Sequence, residues 1–370
     1  MEIIVKNTTL SLSSSIVSIV RLWRWLRLPV LCGISSGLVA CEALMSAGVK
    51  PVLRSQHLAV IINTQDPQSV AVGEYYQQQR NIPENNLIRV SFPPGKIVMP
   101  KETFQVLQAR VEQQTLGHIQ GYAVTWTYPY RVDCMSITSA LALGFNSIYC
   151  AQGCKPTAAH EYFNQSSSRP YREYSVRPTM MLAGQSITEA KALIDRGVKA
   201  DNTNPPGTGY LVSTKDRARN VRSTTYGQTR AVLEETAKNF QIEVVETNAL
   251  KDRQDVMFYF TGIAQVTKLD TLQFRPGAVG DHLTSYGGGL QNQGAKAQTS
   301  ILRWLEAGAT GSYGTVVEPC NFPQKFPHVG ILMQAYLGGA TLLESYWQSV
   351  AWPGQGLFVG DPLARPFGKN

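Results

Sequence analysis

Charged side chains are scarce in this chain of 370 residues, in which Asp, Glu, Lys and Arg together account for 16%. With 43% hydrophobic residues, 31 glycines and 20 prolines, the composition is typical of a globular protein with many turns and excludes a disordered chain or a coiled coil. The formal charge is +8, but no cluster of Lys and Arg with interleaved aromatic residues is present. The sequence therefore does not indicate nucleic-acid binding.

The N-terminal segment has the features of an export signal. Three arginines precede the apolar run LPVLCGISSGLVA, which is too short to cross a membrane as a helix. This order predicts a secretory signal peptide over residues 1–40. Its last residues and Cys41 resemble a bacterial lipobox, so we expect cleavage before Cys41, a lipid anchor on it and a tether over residues 41–56. Ordinary signal cleavage with an incidental Cys41 is the alternative, and both predict export to the periplasm or the outer membrane.

Cysteine is scarce as well, and export changes how the cysteines are interpreted. Beyond the N-terminal segment the chain contains only Cys134, Cys150, Cys154 and Cys320. In an oxidising compartment four cysteines form up to two disulfides, with three possible pairings. Cys150 and Cys154 are a close pair, but no second pair of cysteines or histidines at metal-ligand spacing completes a zinc site, so we expect neither a metal nor another cofactor.

Short apolar runs alternate with helical patterns after residue 56. The run from His57 to Asn63 is continuous, as in a strand covered on both faces, and Asp66-Pro67 begins a helix. The repeated order of strand and helix predicts an α/β fold with mainly parallel sheets. We divide it into two consecutive α/β subdomains, residues 57–177 and 178–370. The first includes a long irregular loop over residues 146–177, a length typical of functional lids or disordered segments.

One helix start has a more specific signal. The motif Ser-x-x-Glu, from Ser186 to Glu189, predicts a capping box after the strand Thr179–Ala183. We expect the capped helix to extend to Ile194.

The last quarter of the chain, residues 275–366, combines glycine-rich turns with ionisable side chains. Asp281-His282 and Glu318-Pro319-Cys320 each follow a short β-prone run, and loops at strand ends often carry function. His282 and Cys320 are the candidate base and nucleophile of a cysteine hydrolase, which requires that they lie within hydrogen-bond reach. Ser285 with His282 is a weaker candidate, because no G-x-S-x-G elbow surrounds the serine.

Other interpretations of the same quarter remain open. The residues considered for a metal site are Asp281, His282, Glu318, His328 and Asp361, but their spacings match no ligand motif. Gly287–Gly289 suits an anion, yet no Lys-Ser/Thr pair of a P-loop follows it. Asp281, Glu318 and Asp361 also suit caps of helices or turns, since Gly-Asp-Pro is itself a turn signal.

Several segments resemble a bacterial family that accompanies exosortase and PEP-CTERM sorting systems. The matching segments are LAVIINTQDPQSVAVGEYYQQQRNIPENNLIRV, SITSALALGF, DHLTSYGG, WLEAGATGSYGTVVEP and GDPLARP, which together cover most of the chain after Leu53. This resemblance implies a cell-envelope protein with partners in exosortase or exopolysaccharide systems. It implies no particular reaction.

A more distant resemblance is to the gingipain-like cysteine peptidases of the caspase-type fold. It is carried by RPTMMLAGQSITEAKALI, TSILRWLEAGATGSYG and GLFVGDPL, which resemble the subdomain junction, the helix and strand after the nucleophile, and the terminus of that family. In this register Thr261-Gly262-Ile263 stands where the family has Gly-His-Gly, and Leu283, Thr284 and Ser285 fall near the nucleophile. The resemblance therefore implies a caspase-type scaffold from which the Cys/His pair is lost.

Three classes of function follow. We favour a binding protein of the cell envelope on this scaffold, with candidate binding residues Asp281, Thr284, Ser285, Glu318 and Asp361. An accessory role in exosortase-dependent sorting or polysaccharide export is compatible with binding. The alternative is an active cysteine peptidase that uses His282 and Cys320. Because fold does not imply function, the scaffold itself does not favour proteolysis.

Overall fold

The computed structural model describes residues 52–151, 153–237, 240–291 and 297–368. The expected signal peptide, the expected lipidation site Cys41 and most of the expected tether lie outside these residues. Within the described ranges, no helix combines the length and the apolar character needed to span a bilayer.

The described chain alternates strands and helices throughout. The strands are β1 (Leu58–Asn63), β2 (Leu87–Val90), β3 (Val98–Met99), β4 (Gly121–Val124), β5 (Arg131–Val132), β6 (Met135–Ser136), β7 (Thr179–Met181), β8 (Thr208–Ser213), β9 (Gln241–Glu246), β10 (Val256–Gly262), β11 (Phe274–Leu283), β12 (Gly311–Thr315) and β13 (Gly356–Gly360). The α-helices are α1 (Pro67–Arg80), α2 (Lys101–Gln114), α3 (Ile137–Leu143), α4 (Pro170–Tyr174), α5 (Ile187–Ala200), α6 (Tyr226–Thr236), α7 (Ile301–Glu306), α8 (Val329–Leu337) and α9 (Leu342–Ser349).

One large sheet contains ten of these strands, in the order β2-β1-β4-β7-β13-β12-β11-β10-β8-β9. Neighbouring strands are parallel, except that β12 and β13 are antiparallel. The sheet therefore consists of two parallel halves that run in opposite directions, and their carboxyl ends lie at opposite edges. The short strands β3, β5 and β6 form a second, small sheet. The prediction of an α/β fold with mainly parallel strands is confirmed.

Both predicted subdomains, residues 57–177 and 178–370, contribute strands to the large sheet. The sequence boundary at residues 177 and 178 falls between β4 and β7, which are paired neighbours with Ala123 opposite Met180. The change of direction occurs instead beside β13, the last strand, which lies between β7 and β12.

Strand β1 shows why the sheet centre is apolar on both faces. All six of its residues are buried. Val60 and Ile62 belong to the apolar cluster on one face, whereas Ala59 and Ile61 belong to the cluster on the other. Because side chains alternate along a strand, a continuous apolar run is what a strand covered on both faces requires.

Two helix starts test the local signals in the sequence. At α1 the Asp66 side chain accepts a hydrogen bond from the Gln68 N–H at 2.9 Å, as expected for an N-cap. At α5 the Ser186 hydroxyl accepts from the Glu189 N–H at 3.2 Å. The Glu189 carboxylate accepts from the Gln185 N–H rather than from Ser186, so the predicted capping box is wrong in its second half. Helix α5 also runs to Ala200, beyond the expected end at Ile194.

Candidate functional site

The carboxyl ends of β8, β9, β10, β11 and β12 form one edge of the sheet, which we call the carboxyl edge. The structure brings six predicted residues to it: Asp281, His282, Thr284, Ser285, Glu318 and Cys320. The seventh, Asp361, follows β13. Because β13 is antiparallel to β12, Asp361 lies at the opposite edge.

Both cysteine pairs are joined as disulfides. Cys154 is bonded to Cys320 and Cys134 to Cys150, with Cα–Cα distances of 5.3 and 5.4 Å. This is one of the three pairings that the sequence allowed. While its sulfur is bonded to Cys154, Cys320 has no thiol to act as a nucleophile. The structure therefore does not form the dyad of His282 and Cys320.

Glu318 stabilises the turn that contains Cys320. Its Oε1 accepts a hydrogen bond from the Cys320 N–H at 2.8 Å. Cys320 has a φ of 54°, a left-handed conformation that needs local support in a residue with a side chain. Glu318 is partly exposed, but its side chain already serves as a turn cap.

The long loop over residues 146–177 is held against the carboxyl edge. Besides the disulfide from Cys154, the Lys155 carbonyl accepts a hydrogen bond from Lys325 Nζ at 2.8 Å. Burial lowers the pKa of Lys325 to about 8. Further along, His160 Nε2 lies 2.8 Å from the Val350 carbonyl. In its described part, the loop is therefore tied to the carboxyl edge by a disulfide and hydrogen bonds.

His282 is buried on the face of the sheet covered by Trp304. The indole Nε1 donates to His282 Nδ1 at 3.1 Å, which leaves the ring proton of the neutral histidine on Nε2. Burial lowers the pKa of His282 to about 3, and the nearby Arg222 charge acts in the same direction. Gly280 makes this packing possible, because a Cβ there would lie 2.5 Å from the indole. Neither His282 Nε2 nor Thr261 Oγ1 on the paired strand has a well-aligned hydrogen bond within the described ranges.

Asp281 points to the opposite face and pairs with Arg222. The Arg222 Nη1 lies 2.7 Å from Asp281 Oδ1, while Nη2 donates to the Thr261 carbonyl at 2.8 Å. Burial raises the pKa of Asp281, and Arg222 opposes this rise. Despite the short distance, neither carboxylate oxygen accepts a well-aligned hydrogen bond from a described residue. The Tyr226 and Tyr346 hydroxyls also have no hydrogen-bond partner among the described residues. Burial raises the pKa values of both tyrosines, and the nearby Asp281 charge acts in the same direction.

Thr284 organises the loop after β11. Its Oγ1 accepts from Arg219 Nε at 3.1 Å and donates to Gln298 Oε1 at 2.8 Å. Gln298 Oε1 also accepts from the Tyr286 N–H at 2.7 Å. Thr284 is buried, whereas Ser285 is partly exposed. Of the residues near the expected nucleophile position, Thr284 therefore acts by orienting Gln298.

An open crevice of about 620 Å³ lies at the carboxyl edge, beyond β9 and β10. Its lining residues are Asn248, Ala249, Ile263, Ala264, Gln265, Thr267 and Gln298. The chain passes from β8 outward to β9 and then returns to β10 on the other side of β8. Such a reversal of strand order is where open α/β sheets bind ligands. None of these residues was predicted, because neutral amides and small side chains carry no motif.

Asp361 belongs to a closed cluster at the opposite edge. It accepts hydrogen bonds from Tyr76 Oη at 2.8 Å and Arg80 Nε at 3.0 Å, and Arg80 also pairs with Asp201. A Cβ on Gly197 of α5 would lie 2.0 Å from the Asp361 carboxylate. Because Asp361 has no exposed surface, it does not line a binding surface as the sequence suggested.

The residues considered for a metal site do not gather. Asp281 and His282 are adjacent on β11 and point to opposite faces, and Asp361 lies at the other edge. Within the described ranges, no three His, Cys, Asp or Glu side chains are placed to hold a metal ion.

The glycine run after β11 does not form an anion site. The Gly288 N–H donates to the Thr315 carbonyl and the Gly289 N–H to the Tyr286 carbonyl, each at 3.0 Å. A Cβ on Gly288 would lie 2.6 Å from the Gly314 carbonyl oxygen. The run therefore packs its backbone against β12, with these N–H groups already occupied.

The chain matches no protein-family model and no curated protein. Function is therefore inferred from the carboxyl edge and from the resemblances of the sequence segments.

Proposed function

We propose that this chain is an exported protein of the cell envelope that binds a ligand at the carboxyl edge and does not cleave peptides. The disulfide between Cys154 and Cys320 carries this proposal, because it removes the thiol on which the alternative peptidase depends. All four cysteines of the described chain are paired, which suits an oxidising compartment outside the cytosol.

The state of His282 supports the same proposal. A general base must reach the proton that it removes, whereas this imidazole is fully buried and its Nδ1 accepts from Trp304. Its pKa, which burial lowers to about 3, makes it a weak base. Both members of the alternative dyad are thus occupied by structural contacts.

The open crevice supports ligand binding, which is the function that is left once proteolysis is disfavoured. It lies where strand order reverses, and its volume of about 620 Å³ is within the usual range for ligand sites, roughly 300–1,000 Å³. The resemblance to the family that accompanies exosortase and PEP-CTERM systems supports an accessory role there. The gingipain-like segments support descent from a peptidase scaffold whose dyad is lost.

A thiol-labelling experiment tests the proposal. The unreduced protein is treated with a thiol-reactive peptidyl probe, and the labelled positions are mapped by mass spectrometry in wild type, Cys320→Ala and His282→Ala. We expect no label on Cys320 in the wild type. Labelling of Cys320 that requires His282, together with peptide turnover, would establish the peptidase and refute the binding proposal.

Export and lipidation are tested separately by fractionation. We expect the wild-type protein in the membrane fraction and Cys41→Ala in the soluble periplasmic fraction, because a lipid anchor requires that sulfur. An unchanged distribution would contradict lipidation while leaving export intact. Retention of both forms in the cytosol would contradict export.

A further inference from the structure

Two amide side chains of the crevice are held in a defined orientation. Asn248 Oδ1 accepts from the Lys215 N–H at 2.8 Å, and Gln298 Oε1 accepts from the Tyr286 N–H at 2.7 Å. A backbone N–H can donate only to the oxygen of a side-chain amide. The NH₂ group of each side chain therefore points away from the backbone N–H that its oxygen accepts. Within the described residues, neither NH₂ group donates to a protein acceptor. Asn248 and Gln298, which both line the crevice, therefore each carry an oriented NH₂ donor group.

The other lining residues determine the remaining chemistry. Ala249, Ala264 and Ile263 provide small apolar contacts, and Thr267 provides a hydroxyl that both donates and accepts. Gln265 donates through Nε2 to the Ala297 carbonyl at 3.0 Å. None of the described lining residues is charged. A ligand that matches this set is neutral and combines a strong acceptor oxygen, a small apolar group and a donor.

We infer that the crevice binds the acetamido group of an N-acetylated sugar, as a residue of a glycan chain. The acetamido carbonyl accepts from the oriented amides, its methyl packs on the small apolar residues, and its single N–H donates to the hydroxyl of Thr267. This inference rests on the proposed binding function and adds the class of ligand.

A peptide main chain suits the crevice less well. It also presents carbonyl oxygens, but each residue brings an N–H that needs an acceptor. The oxygens of Asn248 and Gln298 are already occupied by Lys215 and Tyr286. A peptide therefore brings an N–H from every residue to a crevice whose two oriented amides donate, whereas an acetamido group brings a single N–H.

The first test compares two trisaccharides by titration calorimetry with the full, unreduced protein. Tri-N-acetylchitotriose carries an acetamido group where cellotriose carries a hydroxyl, and the two are otherwise alike. We expect chitotriose to bind and cellotriose to bind at least about tenfold more weakly, since lost hydrogen bonds to oriented donors are not replaced. Equal binding of the two, or no binding of chitotriose, overturns the inference.

The second test removes the donors and keeps the structural contacts. Gln298→Glu and Asn248→Asp each retain an oxygen for Tyr286 or Lys215 and replace the NH₂ group by a second oxygen. We expect each variant to bind chitotriose about tenfold more weakly. Gln105→Glu, on the exposed surface of α2, makes the same change of charge and serves as the matched control with unchanged affinity. Unchanged affinity in both crevice variants overturns the inference.

Two further arms separate the ways in which the inference fails. If an N-acetylated, amidated tetrapeptide binds more tightly than chitotriose, the ligand class is wrong while the binding function stands. If Cys320 is labelled and peptides are cleaved, the binding function itself is wrong.

A competition experiment identifies the source of the glycan, with isolated cell-wall glycan strands and secreted polysaccharide competing against labelled chitotriose. The one that displaces it is the source, and displacement by neither contradicts the inference.

Discussion

Two buried arginine–aspartate pairs lie at opposite edges of the sheet and differ in how completely they are hydrogen-bonded. At the closed end, Asp361 accepts from Tyr76 and Arg80, and Arg80 has a second carboxylate partner in Asp201. At the carboxyl edge, Asp281 lies 2.7 Å from Arg222 without a well-aligned hydrogen bond.

The difference separates structural from candidate functional groups better than burial does. Both aspartates are fully buried and both are paired with arginine. In native proteins nearly all buried polar atoms have hydrogen-bond partners. A cluster with unpaired polar atoms, such as that of Asp281, therefore requires an explanation, whereas the fully hydrogen-bonded cluster of Asp361 does not. The Asp281 cluster lies at the same edge of the sheet as the crevice. The Asp361 cluster connects α1, α5 and the C-terminal segment. A buried charge is therefore weak evidence for function until its partners are known.

The largest expected effect is at the Asp361 cluster. Asp361→Asn removes the charge that neutralises Arg80 and leaves only Asp201, which is partly exposed. We expect the free energy of unfolding to fall by about 3–5 kcal/mol, as when one member of a buried pair is removed. Urea unfolding measures the change. A loss below about 1 kcal/mol would mean that the cluster is not the structural support that its hydrogen bonds indicate.

The same change at the carboxyl edge should cost about as much. Asp281→Asn leaves the buried Arg222 without a carboxylate partner among the described residues, and its Nη2 then has the Thr261 carbonyl at 2.8 Å. We expect a loss of about 3–5 kcal/mol, as when one member of a buried pair is removed. The two aspartate variants are compared in the same urea series. A loss below about 1 kcal/mol for Asp281→Asn would mean that its carboxylate is not needed to neutralise Arg222.

A third prediction concerns acid stability. The unfolded chain binds a proton at His282 near its ordinary pKa of 6.5, whereas burial lowers the folded pKa to about 3. Between these values the unfolded state holds the extra proton, so the free energy of unfolding falls as pH drops. One such group contributes about 1.4 kcal/mol per pH unit.

The variant His282→Gln should remove that part of the slope. His160, with a pKa that burial lowers to about 4, keeps its own contribution and serves as the internal reference. Urea unfolding at intervals between pH 4 and 7 measures both slopes. An unchanged slope in His282→Gln would show that the ring titrates normally and is accessible, which would favour the alternative dyad.

Local patterns predicted the elements well. The apolar run from His57 to Asn63 forms β1 over Leu58–Asn63, and α1 begins at Pro67 after Asp66, as predicted. At the start of α9, a capping box that was not predicted forms between Thr341 and Glu344. Helix caps and the spacing of apolar residues depend on residues a few positions apart, so they can be predicted from the sequence.

The pairing of cysteines and strands that are distant in sequence could not be predicted in the same way. The bond between Cys154 and Cys320 spans 166 residues and was one of three equivalent pairings. The insertion of β13 between β7 and β12 likewise depends on partners distant in sequence. Six predicted site residues share the carboxyl edge, but neighbours such as Trp304 determine what His282 can do. The crevice was not predicted, because Asn248 and Gln298 are oriented by backbone N–H groups that are distant in sequence or carry no motif.

The smallest expected effect compares two tyrosine hydroxyls. Tyr76→Phe removes a hydrogen bond at 2.8 Å to the Asp361 carboxylate, and hydrogen bonds to charged groups are worth about 1.5–3 kcal/mol. Tyr226→Phe removes a buried hydroxyl that has no hydrogen-bond partner among the described residues, so its loss should be within about 0.5 kcal/mol of zero. Thermal and urea unfolding of the two variants, with Tyr346→Phe as a second unpaired hydroxyl, measure the difference. Equal losses would mean that solvent completes the hydrogen bonds around Asp281, and the two clusters would then differ in hydration and not in function.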